Sequence, residues 1–309
     1  MVKKHSTLYI CAMKILLTGA NGFVGHYLCK HLLQHRHTVI ATGKGPCRLP
    51  YINNHAFSYI ELDFTDGVVT EILLDKIKPD VIIHAGAMSR PDECEKKKEE
   101  AYLVNVKGTE HLLAAAALHS SFFIFLSTDF IFDGKRGMYK EEDEPGPVNH
   151  YGKTKLMAEE LVKQYTRGWS IIRTVLVYGP PMPGRPHLLS NIKETLEKGK
   201  TCSMVYNQFR TPTYVEDLAA AIATVAGKKA TGVFHIAGAE VLTPYLMACK
   251  AAAFLGYDPS LIRRIRTNAL AEPAPRPART GFNIDRAKAI LGYNPVSFDK
   301  GLAKSFAQK

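Results

Sequence analysis

Tyr151 and Lys155 lie four residues apart, and on a helix positions i and i+4 share one face. A phenol with an ammonium one turn away is a proton donor whose ordinary pKa of about 10 is drawn down by the cation. Thr128, upstream in the run Ser127-Thr128-Asp129, supplies a hydroxyl that can share the hydrogen bond to a substrate oxygen. Such a set moves a proton on and off an oxygen while another group moves a hydride. With 14 tyrosines in the chain, about one Tyr-x-x-x-Lys match arises by chance, so the pair needs support from the rest of the sequence.

That support begins with glycines. Thr18-Gly19-Ala20-Asn21-Gly22-Phe23-Val24-Gly25 follows an apolar strand, Ile15–Thr18, and opens a segment with helical spacing, Gly22–Gln34. Glycines let the backbone turn tightly beside a pyrophosphate, and free helix N–H groups stabilise its charge. A tight strand-to-helix turn is the competing reading, but the first position in a strand–helix series favours a dinucleotide. The acid that usually binds the ribose diol of NAD, about 20 residues on, is missing: no Asp or Glu occurs between Gly25 and Glu61. The second strand ends in Thr42-Gly43-Lys44, with Arg48 nearby. Lys44 there can pair with a 2′-phosphate, unless it is an ordinary surface lysine. The expectation is NADP(H) in preference to NAD(H).

The elements that must hold these residues alternate. Strands are expected at Thr38–Thr42, Phe57–Leu62, Val81–His84, Phe122–Leu126 and Ser170–Arg173, with helices near Val68–Lys76, Asp92–His119 and His150–Tyr165. Continuous aliphatic strands separated by helices imply a parallel sheet covered on both faces. The fold class is α/β, a Rossmann-type doubly wound parallel sheet with a smaller, discontinuous C-terminal substrate domain. Breaker clusters at Gly179–Gly184 and Ala271–Pro277, with a helix at Val215–Val225 and a strand at Val233–Ile236 between them, set the division. Residues 13–179 and 212–241 are expected to bind the dinucleotide, and 180–211 and 242–309 the substrate. Residues 1–12, ahead of Met13-Lys14-Ile15, read as an extension or tail.

Composition narrows the class. The 309 residues are 46% hydrophobic and 22% charged, ordinary for a soluble globular chain. No apolar run approaches the roughly 20 residues of a membrane span. Six scattered cysteines lack metal or disulfide spacing and fit reduced thiols in a cytoplasmic protein, and no metal cluster is visible. The net charge of +11 is spread along the chain, favouring small anions over nucleic acid as partners.

Together these residues resemble the extended short-chain dehydrogenase/reductase family, on the Gly19/Gly22/Gly25 triplet and the Tyr151/Lys155 pair. The runs Ser127–Gly134, Tyr151–Lys155, Arg173-Thr174 and Gln208–Thr213 are similar to its dTDP-4-dehydrorhamnose reductase branch. The resemblance implies Tyr151 as general acid toward a substrate carbonyl and Thr128 orienting that carbonyl. It implies Lys155 lowering the tyrosine pKa and binding the nicotinamide ribose. It further implies Asp63 and Phe64 flanking the adenine (with a helix cap as the alternative role of Asp63), Ala85-Gly86-Ala87 along the cofactor, and Asn105 helping to hold the site. The substrate would be a nucleotide-linked 4-keto sugar, near Ser89, Asp129 and Phe130. Arg210 is offered to a substrate phosphate, with a surface arginine as the competing reading. Phe130 stands where the related dehydratases carry a second acid, which turns the site toward simple reduction; 4-epimerisation remains the alternative. His84, Arg90-Pro91 and the absence of a tryptophan after Arg173-Thr174 depart from the branch. Arg90-Pro91-Asp92 resembles instead a group of non-catalytic, NADP-binding regulatory subunits. A homodimer is the common state of such folds.

Overall fold

A computed structural model of the chain describes residues 12–307. The expectation for residues 1–12 therefore lies, apart from Ala12, outside the described residues. The chain runs β1 (Lys14–Thr18), α1 (Phe23–Gln34), β2 (Thr38–Gly43), β3 (Phe57–Glu61), α2 (Gly67–Ile77), β4 (Val81–His84), α3 (Pro91–Lys96), α4 (Lys98–Tyr102), α5 (Gly108–Leu118) and β5 (Phe122–Thr128). It continues through α6 (His150–Lys163), β6 (Trp169–Thr174), β7 (Val177–Tyr178), α7 (Leu188–Glu197), β8 (Cys202–Val205), β9 (Thr213–Tyr214) and α8 (Val215–Lys228). Then follow β10 (Gly232–Ile236), α9 (Pro244–Leu255), β11 (Ile262–Ile265), α10 (Asp285–Leu291) and α11 (Phe298–Phe306).

Seven strands form one parallel sheet in the order β10-β6-β5-β4-β1-β2-β3. The order reverses between β1 and β4, and ligands of doubly wound sheets bind outside the strand ends at that point. Side chains alternate across the sheet because successive Cβ atoms point to opposite faces. Ile15, Leu17, Phe122 and Ile124 join the core beneath α1 and α8. Leu16, Phe123 and Phe125 join the one beneath α5 and α6. A third core gathers Tyr178, α7, α9 and α11 around the β8–β11 pair. Residues 282–293, including Phe282, Ala287 and Leu291, pack into the first core rather than the third.

One expected element is corrected. The stretch Asp92–His119 is not one helix: α3 ends at Lys97, whose backbone leaves helical geometry at φ −124°, ψ 63°. A π-helical turn, Leu103–Lys107, then joins α4 to α5. Such a turn re-aims side chains within a helix, and here it turns Asn105 inward.

A buried ion pair ties α6 to the sheet. The Arg173 guanidinium, 2% exposed, bonds the fully buried Glu159 carboxylate at 2.7, 3.0 and 3.2 Å. It also donates to the Glu141 carbonyl at 3.1 Å and lies 3.3 Å from His235 Nε2. Removing one partner of such a pair strands the other charge, so its main effect is to fix α6 in place.

Candidate active site

The glycine turn after β1 is built for close approach. Gly19 has φ +69°, and a Cβ there would lie 2.6 Å from the Gly86 nitrogen. A Cβ on Gly25 would lie 2.7 Å from Ala20 Cα. Gly22 caps α1 without a side chain, and no acid occupies the first helical turn, so the helix N-terminus keeps its free N–H groups and positive end. From beneath, His84 fastens this turn: its Nδ1 is 2.7 Å from Thr18 Oγ1 and its Nε2 3.1 Å from Thr109 Oγ1. Thr18 Oγ1 in turn accepts from the Gly86 N–H at 3.2 Å. Burial, and then the Lys155 charge, hold the His84 pKa well below its ordinary value, so the ring is neutral.

Thr128 ends β5 and Tyr151 opens α6, where both face the same cleft of about 700 Å3. Asn149 caps α6 by accepting from the Gly152 N–H at 2.9 Å, and its amide donates to the Pro275 carbonyl at 2.8 Å. The Tyr151 ring packs edge-on to Phe130, 5.8 Å between centroids. Burial raises the phenol above its ordinary value, and the neighbouring Thr128 hydroxyl partly opposes this. Lys155 does not draw the phenol down as expected from spacing alone. Its ammonium donates to the Leu126 carbonyl at 2.7 Å and lies 3.8 Å from the centre of the Phe125 ring. Burial pulls Lys155 itself down to about 7, with Glu159 opposing. Ser127 also lines the cleft, and its buried Oγ has no partner among the described residues.

The sequence profile of the RmlD substrate binding domain family matches residues 13–309. The chain belongs to this family. It is thereby a member of the extended short-chain dehydrogenase/reductases and homologous to their NAD(P)-dependent oxidoreductases. A Sulfolobus tokodaii structure described as a hypothetical dTDP-4-dehydrorhamnose reductase is 31% identical, with a TM-score of 0.81 over 93% of this chain and 98% of its own. A dTDP-4-dehydrorhamnose reductase from Clostridium acetobutylicum is 27% identical, with a TM-score of 0.81 over 95% of this chain and 98% of its own. The methionine adenosyltransferase 2 subunit beta of Xenopus tropicalis is 32% identical over 94% of this chain and 86% of its own.

Within this RmlD-family fold the cleft gathers most of the residues singled out by sequence. Gly19, Asn21, Gly22, Phe23, Val24, Gly25 and Lys44 form one wall, and Ala85, Gly86, Ala87 and Ser89 another. Thr128, Asp129, Phe130, Tyr151 and Lys155 close the inner end. Asp129 is not a free acid: Thr280 Oγ1 donates to one carboxylate oxygen and Thr128 Oγ1, at 3.2 Å, to the other. Burial raises its pKa against the opposing Arg210 charge.

Four of the residues singled out by sequence do not line the cleft. Arg210 does not line the cleft; it is 4% exposed, and its guanidinium donates to the carbonyls of Phe209, Pro277 and Ala278, 3.7 Å from Asp129. Asn105 is likewise outside the cleft. It grips the Met88 backbone, accepting from its N–H at 2.8 Å and donating to its carbonyl at 3.1 Å, and so props the 85–89 wall. Phe64 is buried beneath that wall, against Gly86 and Gly108. Asp63 bonds Lys44 at 2.8 Å and accepts from Thr65, while Asp66 is the cap of α2. The acid missing from β2 thus reaches Lys44 from the neighbouring β3.

Sequence reading also missed a residue. Arg276 lines the cleft from the proline-rich strap 274–279, held by the Asp92 carboxylate at 2.7 Å. The Ala274 N–H donates to the same acid at 3.1 Å. Arg276 sat inside a segment that reads only as a breaker, which is why its type carried no signal.

Proposed function

We propose that the chain is an NADP(H)-dependent reductase of a nucleotide-linked 4-keto sugar, resembling the dTDP-4-dehydrorhamnose reductases among its relatives. The observation that carries this reading is the meeting of Thr128, Tyr151 and Lys155 with the glycine cradle in one cleft. The residues fit a nicotinamide dinucleotide: the Gly19 and Gly25 backbone leaves room where a Cβ would not fit, and the α1 N-terminus is uncapped by any side chain. Ser127 Oγ lacks a partner among the described residues, and Lys44 and Arg48 stand at the β2 end. When bound, the cofactor supplies a hydride.

The protein's own part is a proton and a position. A phenol raised by burial is protonated at neutral pH and serves as donor to the carbonyl oxygen that Thr128 orients. Lys155, near 7, exchanges a proton at working pH and so can return one toward the phenol. The engagement of Asp129 by Thr280 and Thr128, with Phe130 beside it, leaves no free second acid, which favours reduction over elimination of water. Arg276 replaces Arg210 as the cation offered to the substrate's phosphates, beside Ser89. Segments 180–211 and 242–309, apart from residues 282–293 that pack into the first core, serve as the substrate-binding domain in this reading. The five described cysteines are free thiols, which suits a cytoplasmic setting.

The test is NADPH oxidation against a panel of nucleotide-linked 4-keto sugars. Turnover on one of them supports the proposal. Tight NADPH binding with no turnover on any favours a second reading, a cofactor-binding subunit of another enzyme, which the methionine adenosyltransferase subunit among the relatives supports.

A further inference from the structure

We propose that Arg185, on the segment between β7 and α7, determines cofactor specificity by joining Arg48 in a guanidinium pair that takes the 2′-phosphate of NADP(H). The inference deepens the NADP-dependent reading above and rests on it.

Arg185 Nε donates to the Asn21 carbonyl at 2.6 Å, and Arg48 Nη2 approaches the same oxygen at 3.4 Å. Arg185 Nη2 donates to the Arg48 carbonyl at 3.3 Å. Two guanidinium groups from distant parts of the chain therefore converge on the carbonyl of Asn21, a residue of the glycine cradle, and of the two Arg48 lines the cleft. Asn21 is fixed there by its own side chain, which donates to Tyr59 Oη at 2.8 Å and accepts from the Arg48 N–H at 2.9 Å.

Among the described residues neither guanidinium has a carboxylate partner: Asp63 is taken by Lys44, and Glu61 accepts from the Gly45 N–H at 2.9 Å. Burial, and then the neighbouring Arg48 charge, lower the Arg185 pKa. Adjacent guanidinium groups without a counter-ion are a receptor for a doubly charged oxyanion, which they grip with forked, charge-assisted bonds.

Position within the fold selects the anion. The pyrophosphate belongs at the α1 N-terminus, and the ribose at the end of β2. Arg48 and Lys44 line the cleft at that second place. The segment bearing Arg185 is anchored to α1, with Tyr27 Oη donating to the Pro180 carbonyl at 3.4 Å and His187 packed on Phe23 at 4.8 Å. A 2′-phosphate therefore fastens this segment to the cradle, and a plain ribose diol does not.

Calorimetric titration of the wild type, Arg185→Gln, Arg185→Lys and Arg48→Gln with NADPH, NADH, 2′,5′-ADP and 5′-ADP tests the assignment. Arg185→Gln is expected to weaken NADPH and 2′,5′-ADP by roughly tenfold or more while NADH and 5′-ADP are unchanged, with Arg185→Lys recovering part of the loss. Amide exchange over residues 182–190 is expected to slow with NADPH more than with NADH in the wild type only. Equal weakening of both cofactors in Arg185→Gln would mean that the residue merely props its segment, and the proposal fails. An undiminished NADPH preference in that variant overturns the Arg185 assignment alone and leaves the NADP reading standing. A wild type without any preference for the 2′-phosphate overturns both.

Discussion

Lys155→Met is expected to make the cofactor-free protein more stable and nearly inactive, and the added stability is expected to vanish as pH rises. The Lys155 ammonium is 3% exposed, with one carbonyl and an aromatic face for company. Burial lowers its pKa from 10.5 to about 7. The unfolded chain therefore holds a proton that the folded chain releases between those values, and stability rises with pH across that window. Above about pH 10.5 both states are neutral and burial costs nothing; below about pH 7 the full cost is present. At 1.36 kcal/mol per pH unit the fall corresponds to a ceiling of about 5 kcal/mol. Methionine is close in volume and uncharged, but it forfeits the bond to the Leu126 carbonyl, about 1 kcal/mol. The variant is expected to exceed the wild type by about 2–4 kcal/mol at pH 6.5, and by nothing at pH 10. Urea unfolding of both proteins from pH 6.5 to 10 measures the difference, with turnover recorded alongside. A gap that is the same at every pH, or a wild type more stable at pH 6.5, would refute the account of Lys155.

Other outcomes follow from the same geometry. Tyr151→Phe is expected to cut turnover by roughly 10²–10⁴ while NADPH affinity by titration holds; survival of most activity removes the phenol as proton donor. Gly25→Ala, which drives a Cβ to 2.7 Å from Ala20 Cα, is expected to abolish cofactor binding and cost about 1–3 kcal/mol in urea unfolding, and normal binding would contradict the cradle. Arg173→Met is expected to destabilise by about 3–5 kcal/mol because Glu159 is left charged and alone; adding Glu159→Leu is expected to restore most of it, and a double variant no better than the single would speak against the pair.

The sheet was legible because apolar runs such as Val81–Ile83 and Phe122–Leu126 are best buried between layers of helices. The cradle was legible because glycine is the one residue type whose spacing reports backbone crowding. The break at Lys97 was not, since charged residues on a solvated face continue through a helix and across a kink with the same pattern. Arg210 was misread for a related reason. Its partners are backbone carbonyls at positions 209, 277 and 278, and a carbonyl leaves no mark in the residue type that carries it. Lys44 shows the cost of reading one strand at a time: β2 has no acid, but sheet pairing sets β3 beside it and brings Asp63 within 2.8 Å. Arg48 and Arg185 are far apart in the chain and meet only through the loop after β7.

The strap at 274–279 has a consequence for synthesis. The sheet acquires its last strand at Ile236, and the strap follows about 40 residues later, roughly 2–9 s at ribosomal elongation rates. Through that interval a nascent chain can hold the cradle, Thr128 and Tyr151 without Arg276 or the Pro277 and Ala278 carbonyls that help to anchor Arg210. A dinucleotide that binds this half-built cleft at 100 times its dissociation constant adds about 2.7 kcal/mol to the part already folded. A cofactor bound that early would serve as a template on which the emerging roof of the cleft is laid.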